Sequence, residues 1–141
     1  MGNTQSSIRK VNYEDIQYSI INSSNYILLN TLPSTYQTCL ILNTLSMDDE
    51  VNYIDNLISK IKNDKFIIIY GLNSNDDSVI KKYHQLLGLH FINVFVYTGG
   101  LFEWLLLQDI YGEDEFPTTN KEIDILKFKP TKVLNTQFLE Y

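Results

Sequence analysis

Apolar positions along the chain fall into two kinds of run. The first kind is short and continuous: "NYILLN" (Asn25–Asn30), "CLIL" (Cys39–Leu42), "FIIIY" (Phe66–Tyr70) and "NVFVY" (Asn93–Tyr97). These runs are too short for helices and mostly β-branched or aromatic, so they predict strands. A strand without polar alternation is covered on both faces, as in a parallel sheet, and "FIIIY" predicts its centre. The second kind has helical spacing. Tyr13, Ile16, Ile20 and Ile21 predict a short helix over Tyr13–Ile21, and Val51, Ile54, Leu57, Ile58 and Ile61 a longer one over Met47–Ile61. Ser46 is its expected N-cap, and Asp48, Asp49 and Glu50 fill the first turn, where the helix dipole favours them. A third helix starts near Asp76 or Asp77, carries Val79, Ile80, Tyr83, Leu86 and Leu87, and stops at Gly88. After a tight turn at Thr98-Gly99-Gly100, "LFEWLLLQDIY" predicts a fourth helix, apolar almost all round. Alternating strands and helices predict right-handed βαβ units, an α/β domain with a mostly parallel sheet.

Punctuation divides the chain into a flexible arm (1–12), one folded domain (13–120) and a tail (121–141). Pro33 and Ser34 mark "TLPSTYQT" as a loop. Pro117 and Pro130 make the tail irregular, and "EIDILKF" within it has no clear pattern. No internal repeat is visible.

With 141 residues and 44% hydrophobic content, the chain can bury a single core. A net charge of −6, with Arg9 the sole arginine, argues against nucleic acid as a partner, which would need clustered cations. Cys39 is the only cysteine, so no intrachain disulfide and no cysteine-based zinc site can form. His84 and His90 are six apart across Gly88, not a helical i, i+4 pair, so no metal is expected. No apolar run is long enough to span a bilayer, and the start has no secretory h-region. These features predict an intracellular protein.

The N-terminus changes that picture. "MGNTQS" matches M-G-x-x-x-[ST], the signal for myristate on Gly2. One such chain gives only about 10⁴ M⁻¹ of membrane affinity. Arg9-Lys10 would add roughly 1 kcal/mol each beside anionic lipid. The expectation is a peripheral protein on the cytoplasmic side of a membrane, reinforced by a protein partner. No other cofactor is expected.

Gly71 to Ser78 (Gly71, Leu72, Asn73, Ser74, Asn75, Asp76, Asp77, Ser78) forms the loop after "FIIIY", where α/β proteins place anion sites and nucleophiles. It holds no Cys, His, Lys or Arg. Asp76 and Asp77 could act as an acid/base or metal pair, but neighbours on a helix point apart, and capping is the better reading. Asn73, Ser74 and Asn75 are turn formers. Cys39, between apolar neighbours, is expected to pack in the core. Glu103 and Asp109 read as surface or partner contacts, and Phe102 and Trp104 as packing positions.

"FIIIYGLNSNDDS" followed by "HFINVFVYTGGLFEW" resembles the rhodanese-like domain, over about residues 13–120. "YTGGLFEWLLLQDIYGEDEFPTT" is similar to a protist-type subgroup of that family. The resemblance implies a five-stranded parallel sheet flanked by helices on both faces. It also implies a catalytic cysteine directly after the central strand, with a loop wrapped around sulfur or an anion. Gly71 stands at that cysteine's place. Asn30-Thr31-Leu32 replaces the family's Asp-x-Arg, and Gln37-Thr38 replaces Gly-His. The expectation is a catalytically inert binding or structural module, a membrane-associated or virion component. The alternative is a sulfurtransferase or phosphatase-like enzyme using a non-standard nucleophile.

Overall fold

The computed structural model describes residues 7–59 and 64–134. Gly2, the expected lipidation site, and Ile61 of the predicted second helix lie outside the described residues. The elements are β1 (Lys10–Val11), α1 (Tyr13–Ile21), β2 (Tyr26–Asn30), β3 (Thr44–Leu45) and α2 (Met47–Ser59). They continue with β4 (Phe66–Tyr70), α3 (Asp77–Gly88), β5 (Val94–Tyr97) and α4 (Gly100–Tyr111). Short 3-10 turns occupy Ser34–Tyr36 and Ile125–Phe128.

All strand pairs are parallel, in the order β1-β5-β4-β2-β3, so "FIIIY" is the central strand. Side chains alternate across the sheet, which sorts β4 between two cores. Ile67 and Ile69 pack with Ile54 and Leu57 of α2 and with Val79, Tyr83 and Leu86 of α3. Ile68 and Tyr70 pack with Ile16 of α1 and with Leu101, Trp104 and Leu105 of α4. Helices therefore cover both faces, two on each, as a continuously apolar β4 requires.

The helix starts follow their caps. Asn12 and Asp15 form a reciprocal capping box on α1, and Ser46 Oγ accepts the Asp49 amide at 3.3 Å on α2. Val51 is 61% exposed, so α2 buries a narrower stripe than its spacing predicts. The Glu50–Lys82 ion pair holds α2 to α3 instead.

Four expectations need correction. Cys39–Leu42 is not a strand; Ile41 makes a single antiparallel bridge to Thr118, and the edge strand is Thr44–Leu45. Cys39, Leu40 and Ile41 are apolar because they are buried under the returning chain: Leu42 N–H donates to Pro117 O and Thr119 N–H to Leu40 O. The arm is shorter than twelve residues, since Lys10–Val11 pair with β5 and Asn12 caps α1. The residue that turns the chain after α3 is His90 (φ 74°), not Gly88, which stays helical. Phe91 N–H reaches Leu86 O and His90 N–H reaches Leu87 O, a Schellman closure. Finally, the tail is part of the domain through Phe128, which is fully buried in the α1/α4 core.

Candidate functional site

The Gly71–Ser78 loop lies at the strand-end edge of the sheet, between β4 and α3. Its position is fixed by the turn before α4. Gly100 adopts φ 69°, and a Cβ there would meet Asn73 N and Gly71 O at 2.8 Å each, so only glycine lets the two turns approach. That approach gives Leu101 N–H the Gly71 carbonyl and Phe102 N–H the Leu72 carbonyl, both at 2.9 Å.

Gly71 has no room for a side chain. A Cβ there would run into Asp76 Oδ2, would lie 2.6 Å from Val79 Cγ2, and would lie 2.8 Å from Thr31 Oγ1. The volume a nucleophile would occupy is filled by Asp76. This carboxylate is the N-cap of α3: one oxygen accepts the Ser78 amide at 3.1 Å, the other the Leu72 amide at 2.8 Å. Asn73 is buried; its Oδ1 accepts the Asn75 amide, its carbonyl the Asp76 amide, and its Nδ2 donates to Phe128 O at 2.9 Å. The amides of Leu72, Asn75, Asp76 and Ser78 thus point into the loop's own acceptors. A loop built to bind an anion presents such N–H groups to the ligand.

Asp77, next in sequence, occupies the first turn of α3 and shares no hydrogen bond with Asp76 among those of the described residues. The expected capping role belongs to Asp76 alone. Ser78 Oγ donates to the Asp76 carboxylate or to Thr31 Oγ1, 2.8 Å away. A small cleft of about 70 Å³ lies beside the loop, lined by Ser74, Asn75, Asp77, Ile80, Tyr97 and Thr98. A wider groove of about 370 Å³ runs between α2 and α3, bordered by Thr31, Met47, Glu50, Ser78, Lys81 and Lys82.

The other candidates are placed apart from the loop. Cys39 is buried, its Sγ 3.3 Å from Asn120 O, and burial pushes its thiol above the usual range. Trp104 is fully buried and donates to Pro117 O at 3.1 Å. Glu103 folds over Gly99 and accepts from the Tyr97 hydroxyl; burial first, then this carboxylate, raises the Tyr97 phenol. That bond is six residues long in sequence, but β5 and α4 meet at a sharp turn that spacing does not disclose. His84 is exposed against the Tyr83 ring. Among the described residues no group of three or more His, Cys, Asp or Glu converges as a metal would need.

Two sequence departures prove to be partners. Asn30 and Gln37 exchange side-chain hydrogen bonds of 2.8 and 3.2 Å, and Asn30 also bonds Leu32 N–H and Leu45 O at 3.0 Å each. The network locks the loop after β2. Two polar residues seven apart give little hint of it.

No protein-family model and no curated protein matches the chain. Solved structures do match. The rhodanese-like domain of the Anabaena sp. Alr3790 protein is 21% identical, with 90% of this chain and 88% of that chain covered and a TM-score of 0.55. Ygr203w, described as a yeast protein tyrosine phosphatase of the Rhodanese family, is 15% identical, with 84% and 96% covered and a TM-score of 0.59. BH2092 from Bacillus halodurans is 16% identical, with 86% and 90% covered and a TM-score of 0.58. At these identities the likeness is one of architecture, and it meets the five-stranded parallel sheet already described: the chain has the rhodanese-like fold.

Proposed function

We propose that this is a catalytically inert rhodanese-like module, tethered to a membrane through a myristoylated Gly2 and acting by protein contacts, as a membrane-associated or virion component. The observation that carries the reading is the filled position at Gly71. Asp76 occupies the space a nucleophile would need, and its charge sits where an anionic substrate would bind. A second anion there would be repelled by the carboxylate, and the amides of Leu72, Asn75, Asp76 and Ser78 are already given to acceptors within the loop. Cys39 is a poor substitute, because a reactive thiolate needs exposure and a lowered pKa, whereas this thiol is buried and burial raises it, with Glu122 opposing the help of Lys127. The tether rests on the "MGNTQS" pattern and on the absence, among the described residues, of any helix able to cross a membrane.

Turnover of thiosulfate with cyanide, and of an aryl phosphate, tests the inert half. The wild-type chain is expected to show no turnover above buffer. Gly71→Cys is expected to stay inactive and to lose about 1–3 kcal/mol of stability from overpacking. Wild-type activity that disappears in Cys39→Ser would overturn the reading. Intact mass of the chain from eukaryotic cells tests the tether, which requires a Gly2 bearing the acyl chain.

A further inference from the structure

α4 is apolar on more than the side it buries. Leu101, Trp104, Leu105 and Gln108 form its inner face, packed into the α1/α4 core. Leu106 and Ile110 are four apart on the other side, and so are Leu107 and Tyr111. On a helix these two pairs make adjoining rows. Leu106 is 40% exposed, Ile110 68% and Tyr111 65%, while Leu107 is half-buried. A helix apolar all round is ordinarily covered all round, so this outer face has the composition of a contact surface. Tyr111 joins it to a cleft. Phe116 is buried between Tyr13 of α1 and Tyr111, its ring centroid 5.6 and 6.2 Å from theirs. Gln17 donates to Glu115 O at 2.8 Å, which ties α1 to the turn after α4. The cleft they enclose measures about 310 Å³, with the exposed Glu14 and Glu115 at its margins.

The charge around this surface is of one sign. Neither α1 nor α4 holds a Lys, Arg or His, and Asp109, Glu113, Asp114 and Glu115 gather at the end of α4. The segment that returns over α4 carries Lys121, Lys127 and Lys129, of which Glu113 and Glu122 hold the first two. We propose that the outer face of α4 and the Tyr13/Tyr111 cleft receive a basic amphipathic helix of another protein. Its apolar stripe packs along the Leu106/Ile110 and Leu107/Tyr111 rows. One of its Arg or Lys side chains enters the cleft, against the aromatic rings and the Glu14 and Glu115 carboxylates. The inference rests on the reading that the module acts by protein contacts, and it adds the surface and the partner's chemistry. A second copy of this chain is a worse fit. Paired through α4 in either direction, it sets carboxylates against carboxylates with no base on either helix to answer them. An anionic bilayer is repelled for the same reason.

Fluorescence anisotropy of labelled synthetic peptides with the full chain tests this. One peptide, about 18 residues long, has leucines at helical i, i+3, i+4, i+7 spacing and Arg or Lys elsewhere. Its counterpart has Glu in place of every base. The chain is expected to bind the basic peptide and not the acidic one. Leu106→Ser/Ile110→Ser should weaken that binding about tenfold or more, through lost apolar contact. Glu14→Gln/Glu115→Gln should weaken it about fivefold, through two exposed ion pairs. Asp48→Asn/Asp55→Asn removes the same charge from α2, on the opposite face of the sheet, and should leave the affinity within about twofold. All six positions are exposed, and circular dichroism confirms folding. Equal weakening by the α2 pair and the cleft pair would reduce the effect to overall charge and overturn the proposal. An α4 variant that binds as the wild type does overturns it, as does binding of the acidic peptide or of neither. A wild-type dimer that Leu106→Ser/Ile110→Ser dissociates in sedimentation equilibrium assigns the face to a second copy and overturns it too. None of these outcomes bears on the inert or tethered halves of the function, which turnover and intact mass decide.

Discussion

Asn30 sits at the end of β2 with 4% exposure, and all of its amide chemistry is satisfied within the fold. Truncating it leaves the Leu32 amide, the Leu45 carbonyl and the Gln37 amide without this partner. Asn30→Ala is expected to cost about 1–3 kcal/mol, read as a lower urea midpoint at unchanged slope. A loss under about 0.5 kcal/mol would show that water replaces the network at no cost. Thr31 follows Asn30 and closes the space beside Gly71 from the other side, so the residues in place of Asp-x-Arg have packing and bonding roles.

Among the elements, α3 gives the sharpest contrast, because two aspartates of like charge sit side by side at its start. Asp76 accepts two backbone amides, one from its own helix and one from Leu72 at the β4 end. Asp77 contributes only to the helix dipole. Asp76→Ala should cost about 2 kcal/mol, at the upper end for an N-cap, whereas Asp77→Ala should stay within about 0.5 kcal/mol. Equal effects in thermal or urea unfolding would refute the assignment of the cap to one residue. Elements of this size were legible in the sequence wherever a run carried its own period or cap: α1, α2, α3, α4, β2, β4 and β5 all stand where the pattern puts them. Elements made by distant partners were not. Lys10–Val11 is too short to show alternation and becomes a strand only because Val96 and Tyr97 lie beside it. Cys39–Leu42 looks like a strand because burial of Cys39, Leu40 and Ile41, not pairing, sets its composition. Phe128 is a core residue inside an irregular tail, and nothing local to it says so. The loop shows the same division. The missing nucleophile could be read from Gly71 itself, but its filling by Asp76, Val79 and Thr31 needed three dimensions.

For the whole molecule, two buried phenols couple stability to alkaline pH. Tyr70 is fully buried, donates or accepts at Thr44 Oγ1 (2.8 Å) and accepts the Ile41 amide (3.0 Å); burial raises its ionisation well above the usual range. Tyr97 is raised in the same direction. A phenol raised in the fold ionises first in the unfolded chain, near pH 10. Stability from these groups is therefore complete below about pH 10 and falls as pH rises beyond it. Tyrosinate absorbance should reach its full value for ten tyrosines only as near-UV circular dichroism is lost. Full ionisation with the dichroism intact would contradict the burial of Tyr70 and Tyr97.

The pairing of β1 with β5 also governs the order of events during synthesis. Lys10 finds its partner in Val96, so the first strand has nothing to pair with until most of the domain has been made. At ribosomal rates of 5–20 residues per second, about 90 intervening residues leave it waiting on the order of 10 s. During that interval Lys10 and Val11 have no strand beside them, because the β5 edge they cover is not yet made. The segment made first is therefore among the last to join the sheet, which on this side closes from its centre outward.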